Sequence, residues 1–356
     1  MHDSASEPEV ICEKRGHAGV ITMNRPKALN ALTLTMVRDM AQALDEWELD
    51  PSVRHIVLTG AGGKAFCAGG DIRKLYDLGK VGRQQEAVRF WREEYILNHR
   101  IKTYSKPYVS LIDGICMGGG AGVSLPGSYQ VAGDNYLFAM PEVGIGFFPD
   151  VGASYFLPRL PDHSGFWLAL TGGRIRLADA MALGLAGHYV PTAKFPALFD
   201  ALAAAKDVGS TIAAFAEKPP GSTLRDDCRQ IEAVLSLHDG SKIVEQLEGD
   251  EASSLEFARK TAATIRTKSP MSLAITLAQM HRGKGLASFA DVMKMEFRIV
   301  SRICHGHDFY EGIRAVLVDK DNAPHWQPAS FDAVDPAAVD AHFASLGDDE
   351  LVFPVR

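Results

Sequence analysis

More than half of the glycines in this 356-residue chain lie in one window. Seventeen of the 33 glycines fall between Gly60 and Gly152, a stretch of 93 residues. Glycine lacks a Cβ atom, so it is used where the backbone turns with a positive φ and where a ligand or a second backbone comes close. The window therefore predicts tight turns, or main chain that a ligand must approach.

Strand and helix patterns alternate through the first half of the chain. Short apolar runs flanked by turn residues predict strands, and apolar residues three and four positions apart predict helices. The predicted strands are 10–14, 19–23, 54–59, 107–112, 129–132 and 136–139. Helices are predicted from Thr33 to about residue 49, over 84–103 and from about residue 151. This alternation is typical of an α/β domain with a largely parallel sheet.

Beyond about residue 190 glycine becomes rarer and alanine-rich helical patterns dominate. These patterns cover 194–206, 252–267, 270–281 and 286–303. We therefore predict three parts in the chain. A flexible N-terminus covers residues 1–8, an α/β core covers residues 9–190, and a helical C-terminal region covers residues 191–356.

Charge and cysteine usage narrow the classes of function. The chain has 37 Lys+Arg against 44 Asp+Glu, a net charge of −7, which argues against a nucleic-acid partner. Its five cysteines are scattered without a CxxC pair, as in reduced, intracellular proteins. The first ten residues lack the features of a signal or transit peptide, and the most apolar stretch, 109–125, contains Asp113 and five glycines. We therefore expect a cytoplasmic protein without a membrane segment.

Several familiar site motifs are absent from the sequence or incomplete. Residues 60–65 fit the GxGxxA pattern of a dinucleotide-binding loop, but the residues that follow show no helix pattern, so a dinucleotide-dependent oxidoreductase is a distant alternative. A Walker A loop, a GxSxG elbow and an HExxH motif are absent. His305 and His307 lack further ligands, and a solvated loop is the better interpretation. We expect neither a metal nor a separate cofactor.

Two glycine loops follow two different predicted strands, at residues 68–71 and 117–120. If the loops face one another, each offers a backbone N–H with little side-chain obstruction. Two N–H groups aimed at one carbonyl oxygen form an oxyanion hole. Each loop alone is better explained by turns and close helix packing, whereas the pair favours a functional role.

Two carboxylates complete the candidate chemistry. Glu142 follows Pro141 at the end of a predicted strand, and Asp150 follows Pro149 at a predicted helix start. Two carboxyl groups held in this way can divide acid and base roles between them. Ordinary structural roles stay open, since Asp150 has the position of an N-cap and Glu142 that of a first-turn helix residue. Spacing alone favours the N-cap role for Asp150.

Residues 19–190 resemble the crotonase (enoyl-CoA hydratase/isomerase) superfamily. The matching segments are ITMNRPKALNAL at 21–32, KAFCAGGDI at 64–72, MGGG at 117–120 and MPEVG at 140–144. Within the superfamily the chain is most similar to the 3-hydroxyisobutyryl-CoA hydrolase family. That similarity is found in FWREEY at 90–95, FPDVG at 148–152, YFLPRL at 155–160, ALTG at 169–172, DFYEGIRAVLVDKD at 308–321 and Trp326. The resemblance implies a ββα spiral core with a helical C-terminal region.

The resemblance also implies roles for individual residues. The N–H groups of Gly70 and Gly119 would form the oxyanion hole for a CoA thioester, with Glu142 as the principal catalytic carboxylate and Asp150 as the second. Glu94 would line the acyl pocket and contact a substrate hydroxyl. The residues implied along the CoA path are Ala28, Ala68, Asp71 and Ile72, with Lys27 or Arg25 either at the phosphates or on solvated surface.

One departure from the superfamily pattern directs the choice of reaction. Hydratases have a first glutamate two residues after the triple glycine, and this chain has Gly122 there. We therefore expect hydrolysis of a short branched β-hydroxyacyl-CoA, namely 3-hydroxyisobutyryl-CoA to 3-hydroxyisobutyrate and CoA in valine catabolism. Glu142 would be either the nucleophile or the general base. CoA is then part of the substrate, and the resemblance implies a homotrimer or a hexamer.

Three alternatives remain open at this stage. The nearest is an enoyl-CoA or dienoyl-CoA isomerase, in which the same carboxylates would move protons. A weak hydratase is less favoured because of Gly122. An alternative of a different class is a non-catalytic acyl-CoA binding protein that retains only the glycine loops.

Overall fold

The computed structural model describes residues 7–249, 252 and 255–354. Of the flexible N-terminus predicted for residues 1–8, residues 1–6 lie outside the described part of the chain. The described strands are β1 Val10–Arg15, β2 Ala18–Met23, β3 His55–Gly60, β4 Ala65–Cys67, β5 Tyr108–Ile112, β6 Ile115–Met117, β7 Tyr129–Ala132, β8 Leu137–Ala139, β9 Ile175–Arg176 and β10 His188–Tyr189.

These strands form two sheets. The larger sheet has the order β1-β2-β3-β5-β7-β10, and every pair in it except β1 with β2 is parallel. The smaller sheet has the order β4-β6-β8-β9, with parallel pairs from β4 to β8. The sheet is thus largely parallel, as the strand and helix alternation predicts.

Seventeen α-helices lie in the described part of the chain. They are α1 Leu34–Leu49, α2 Ile72–Lys80, α3 Gln84–Lys102, α4 Gly119–Ser124, α5 Ala153–Phe156, α6 Ser164–Thr171, α7 Leu177–Leu183, α8 Phe195–Ala203, α9 Val208–Phe215, α10 Leu224–Gln230, α11 Glu232–Leu235, α12 Gly240–Glu248, α13 Glu256–Ile265, α14 Pro270–Gly285, α15 Phe289–Ile303, α16 His307–Ile313 and α17 Pro336–Ala341. None of the described helices is long and apolar enough to span a bilayer.

The chain repeats one unit, a strand in each sheet followed by a helix. β3 and β4 lead to α2, β5 and β6 lead to α4, and β7 and β8 lead to a 3₁₀ helix over Glu142–Ile145. This is the ββα spiral that the family resemblance implies. Because β4, β6 and β8 are parallel neighbours, the loops after their carboxyl ends lie side by side at one edge of the smaller sheet.

Helix α1 forms where its sequence signals predict it. The Thr33 hydroxyl accepts a hydrogen bond from the Met36 N–H at 3.1 Å, which caps the helix. Helix α2, in contrast, is absent from the prediction. Asp71 caps it by accepting a hydrogen bond from the Lys74 N–H, and its mostly charged sequence IRKLYDLGK obscures the apolar periodicity. The prediction that no helix follows the loop at 60–65 is therefore wrong. A dinucleotide-binding loop leads directly into its helix, however, and here β4 lies between the loop and α2.

The C-terminal helices pack back onto the site-bearing segments. Phe297 on α15 lies edge-on to Tyr95 on α3, with 6.3 Å between ring centroids. Gly146, which ends the 3₁₀ helix over Glu142–Ile145 with φ +68, lies directly against α16. A methyl group on Gly146 would come within 1.9 Å of the Asp308 carbonyl oxygen. No described strand lies beyond Tyr189, so the C-terminal segments that pack against the site are helical.

We expect Gly146→Ala to destabilise the protein by at least about 3 kcal/mol. The substitution combines a left-handed backbone, which costs about 1–2 kcal/mol for alanine, with a direct clash against Asp308. Gly184→Ala is the matched control, since its φ is +78 but nothing lies within 4 Å of the added methyl. Urea unfolding should show a clearly larger loss for Gly146→Ala, and equal losses would contradict this account of the docking.

Candidate active site

The three adjacent loops bring the candidate glycines and Glu142 together. A methyl group placed on Gly119 would lie 3.2 Å from the Gly70 nitrogen and 2.7 Å from Glu94 Oε1. A methyl group on Gly118 would lie 3.0 Å from Glu142 Oε1. The two glycines therefore pack directly against the carboxyl groups, and a side chain at Gly119 would collide with Glu94.

The N–H groups of Gly70 and Gly119 have no acceptor among the described residues. Gly119 is the first residue of α4, where a helix leaves its N–H groups without intrahelical partners. Around Gly70, the Leu32 N–H donates to the Gly69 carbonyl at 2.8 Å and the Asp71 N–H donates to the Leu32 carbonyl at 2.9 Å. These flanking bonds hold the loop in place and leave the Gly70 N–H unused.

Glu142 begins the 3₁₀ helix that follows β8. Its side chain is buried, and Oε2 has no hydrogen-bond partner among the described residues. Burial raises the pKa of Glu142 well above its usual value, and the charge of Asp150 raises it further. A carboxyl group in this state can bind a ligand group or exchange a proton without first breaking a protein hydrogen bond.

Asp150 is held by a tyrosine and does not cap a helix. The Tyr95 hydroxyl on α3 donates to Asp150 Oδ2 at 2.8 Å, and the N-cap of α5 is Gly152. The N-cap role favoured from sequence spacing is therefore wrong. Burial raises the pKa of Asp150 to about 7, although the Tyr95 hydrogen bond acts in the opposite direction.

Glu94 lies on α3 one residue before Tyr95 and is also buried. Its Oε1 has no partner among the described residues. Burial raises the pKa of Glu94 well above its usual value, and the Asp150 charge adds to the effect. Glu94, Glu142 and Asp150 therefore form one group of buried acids, as the interactions of Asp150 with the other two indicate.

Sequence reasoning missed Glu296, which holds the turn that bears Asp150. Glu296 is fully buried on α15 and accepts hydrogen bonds from the N–H groups of Gly152 at 2.7 Å and Ser154 at 2.9 Å. Val151 and Gly152 have φ values of +54 and +94, so this turn needs external support. The only signal in the sequence is an acidic residue on the apolar face of a predicted helix.

Gln279 on α14 also supports the turn, and it too was missed. Its Nε2 donates to the Pro149 carbonyl at 2.5 Å. Glu296 and Gln279 lie 144 and 130 residues from their partners in the turn. Burial raises the pKa of Glu296 to about 8, while the two N–H donors act against that shift.

The residues implied along the CoA path surround the outer side of the Gly70 loop. Lys27 and Ala28 are exposed, and Ala68 and Ile72 are half-buried. Asp71 already has structural partners, because it caps α2 and forms an ion pair with Arg25 at 3.1 Å. Arg25 also forms an ion pair with Glu9 at 3.1 Å, so its charge is already balanced by two carboxylates of the protein.

A cavity of about 280 Å³ lies beside this loop. Its wall includes Leu32, Leu75 and Phe90, and the Phe90 ring lies 3.3 Å from the position of a methyl group on Gly70. Lys74 and Arg89 also line the cavity, and neither forms an ion pair with a described residue. Sequence analysis did not single out these two cations.

Val151 fills the space in front of Gly122. A methyl group on Gly122 would lie 2.6 Å from Val151 Cβ and 3.0 Å from Asn98 Nδ2. A glutamate at this position therefore does not fit unless the Val151 turn moves. No group of three or more metal-ligating side chains occurs among the described residues.

Comparisons with known proteins give matches over nearly the whole chain. Residues 18–343 match the family model described as enoyl-CoA hydratase/isomerase. The chain is 45% identical to the curated protein named 3-hydroxyisobutyryl-CoA hydrolase, mitochondrial, from Danio rerio, over 99% of this chain and 93% of that protein. This name overturns the expected cytoplasmic location, since it and the names of further curated relatives specify mitochondria.

Two solved structures have nearly the same fold over nearly the whole chain. One is titled a carnitinyl-CoA dehydratase from Mycobacterium thermoresistibile, with 43% identity, a TM-score of 0.91, and coverage of 97% of this chain and 98% of that chain. The other is titled an enoyl-CoA hydratase from Rhodobacter sphaeroides 2.4.1, with 37% identity, a TM-score of 0.91, and coverage of 97% and 100%.

The pKa of Asp150 predicts an unusual dependence of stability on pH. The pKa is about 7 in the folded protein and about 3.9 in an unfolded chain, so the folded state keeps a proton that the unfolded chain releases. The contribution of Asp150 to stability is therefore complete below about pH 4 and is lost as pH rises to 7. Asp150→Asn does not titrate and still accepts the Tyr95 hydrogen bond.

We expect the free energy of unfolding of Asp150→Asn to rise relative to wild type by up to about 4 kcal/mol between pH 4 and pH 7.5. Urea unfolding of both proteins at several pH values measures this difference. A difference that stays constant with pH, or that falls as pH rises, would show that folding does not raise the pKa of Asp150.

Proposed function

The chain belongs to the enoyl-CoA hydratase/isomerase family and, within it, to the 3-hydroxyisobutyryl-CoA hydrolases. We propose that it hydrolyses 3-hydroxyisobutyryl-CoA to 3-hydroxyisobutyrate and CoA. One observation about the site gives the main support. Two N–H groups without acceptors lie beside a buried carboxyl group, Glu142, that has an oxygen without a partner. Together they can polarise a thioester carbonyl and promote attack on its carbon.

The N–H groups of Gly70 and Gly119 polarise the thioester carbonyl. They bind the oxygen more strongly as it becomes an oxyanion, and α4 adds the favourable dipole of its N-terminus. In other acyl-transfer enzymes, loss of one such donor lowers the rate by about 10²–10³-fold. The absence of side chains at both positions lets the carbonyl reach the main chain.

Glu142 promotes attack on the carbonyl carbon by one of two routes. Its carboxylate either attacks directly and forms a mixed anhydride that water then hydrolyses, or it removes a proton from an attacking water molecule. In both routes the C–S bond breaks and CoA leaves as a thiolate. The buried environment that raises the pKa of Glu142 also makes its carboxylate a stronger base.

Asp150 protonates the departing thiolate. With a pKa of about 7, it holds a proton in a large fraction of molecules at neutral pH. The Tyr95 hydrogen bond orients the carboxyl group, and Glu296 fixes the backbone of the turn. Glu94, whose Oε1 lies next to Gly119 without a partner, contacts the β-hydroxyl of the acyl group.

CoA lies along the outer side of the Gly70 loop. Backbone atoms at Ala28, Ala68, Asp71 and Ile72 contact its adenine and pantetheine portions. Lys74 and Arg89 bind the phosphates together with Lys27, since none of the three forms an ion pair with a described residue. A homotrimer or hexamer built through the C-terminal helices remains the proposed assembly.

Hydration is the alternative that the two solved structures raise, because their titles name a dehydratase and a hydratase. The surroundings of Gly122 argue against it, since Val151 occupies the space that a first catalytic glutamate would need. Double-bond isomerisation is a second alternative, because Glu142 and Asp150 could also transfer the protons that it requires. A non-catalytic acyl-CoA binding protein would have no need of partnerless buried carboxyl groups.

A direct comparison of reactions tests the proposal. Purified protein is given 3-hydroxyisobutyryl-CoA, crotonyl-CoA and a 3-enoyl-CoA, and free thiol, hydration and double-bond migration are each measured. We expect thiol release from 3-hydroxyisobutyryl-CoA to exceed the other reactions by at least about 100-fold in kcat/KM, a difference of about 3 kcal/mol in transition-state binding. Hydration or isomerisation faster than thiol release would reject hydrolysis, and tight binding without turnover would indicate a binding protein.

A further inference from the structure

The side chain of Asn98 is buried next to the candidate site without a hydrogen-bond partner. It is completely buried on α3, and neither Nδ2 nor Oδ1 has a partner among the described residues. Asn98 follows Glu94 by one helical turn, so the two side chains lie on the same face of α3. Glu94 Oε1 is likewise without a partner.

Asn98 and the turn that bears Asp150 meet at the same point of α4. Its Nδ2 is 3.0 Å from the position of a methyl group on Gly122, and Val151 lies 2.6 Å from the same position. Val151 directly follows Asp150 and has a left-handed backbone with φ +54. The amide therefore lies against Gly122, at the position where the related hydratases have a glutamate.

A buried amide without partners is costly, and an apolar side chain of the same shape would avoid that cost. Strain and unsatisfied groups of this kind concentrate where a ligand supplies the missing contacts. The amide offers the N–H donors of Nδ2 and the acceptor Oδ1 side by side, which match the oxygen and the hydrogen of an O–H group. A carbonyl would leave Oδ1 without a donor, and an ammonium would leave Nδ2 without an acceptor.

We propose that Asn98 binds an O–H group in the acyl pocket, with Nδ2 donating to its oxygen and Oδ1 accepting its hydrogen. This inference rests on the proposed thioester hydrolysis. The O–H group has two potential sources with the same chemistry, the β-hydroxyl of the acyl group and the water molecule that completes hydrolysis. The β-hydroxyl would make Asn98 a determinant of substrate specificity beside Glu94, and the water would make it a catalytic residue.

Kinetics of Asn98→Leu with two substrates test the proposal. Leucine has nearly the same shape, so the substitution removes both hydrogen bonds and little else. Thiol release is measured with 3-hydroxyisobutyryl-CoA and with isobutyryl-CoA, which lacks the hydroxyl. If Asn98 binds the β-hydroxyl, kcat/KM falls at least 10-fold for the hydroxylated substrate only. If Asn98 binds water, kcat falls by a similar factor for both substrates with KM retained.

Unchanged constants for both substrates would overturn the proposal. Stability provides the second readout, because removal of a partnerless amide should leave the urea midpoint unchanged or raise it. A lowered midpoint together with reduced rates on both substrates would show a structural role and would also overturn it. Wild-type protein that releases no thiol would instead reject the proposed function itself.

Tyr108→Phe is the matched control. Tyr108 on β5 is also fully buried, and its hydroxyl also lacks a partner among the described residues. Its ring packs against Gly127, at the opposite end of α4 from Gly119. We expect Tyr108→Phe to retain the urea midpoint and both sets of kinetic constants, so a kinetic change confined to Asn98→Leu locates the O–H contact at the site.

Discussion

Four carboxyl groups are buried together in this protein without a paired cation. Glu94, Glu142, Asp150 and Glu296 form no ion pair with any described residue, and burial is the largest cause of the raised pKa of each. Burying a charge without a partner is costly, so the fold favours a proton on these groups. This one constraint raises the proton affinity of all four groups.

The partners of the four acids separate their roles. Glu296 has two backbone N–H donors and serves the turn, and Asp150 has one hydroxyl donor and a pKa of about 7. Glu142 and Glu94 each have an oxygen without a partner, which leaves them available to a ligand. The hydrogen-bond partners thus distinguish a group that supports the turn, a group that can transfer a proton and two groups that can face a substrate.

Local sequence signals predicted much of the frame. The glycine loops, the parallel strands and Glu142 at a strand end follow from composition and spacing, and the family resemblance adds Glu94 and the two glycine N–H groups. The adjacent order of β4, β6 and β8 explains why these residues meet. Helix α2 was missed because its charged residues hide a short apolar face.

The supporting residues were beyond sequence reasoning because their partners are distant in the chain. Glu296 and Gln279 reach the Asp150 turn from C-terminal helices whose docking no local pattern specifies. The steric conflict between Gly122 and Val151 likewise depends on how that turn folds. The sequence shows only that a glutamate is missing, whereas the structure gives a physical reason why none fits.

The most direct test of the central claim is thiol release by Glu142→Gln. The glutamine is nearly isosteric, so CoA binding and the urea midpoint should be retained, while the carboxylate that attacks the thioester or activates water is lost. The account predicts that kcat for 3-hydroxyisobutyryl-CoA falls at least about 10³-fold, equivalent to about 4 kcal/mol. A folded Glu142→Gln protein with kcat within 10-fold of wild type would contradict the claim that this buried carboxyl group performs the hydrolysis.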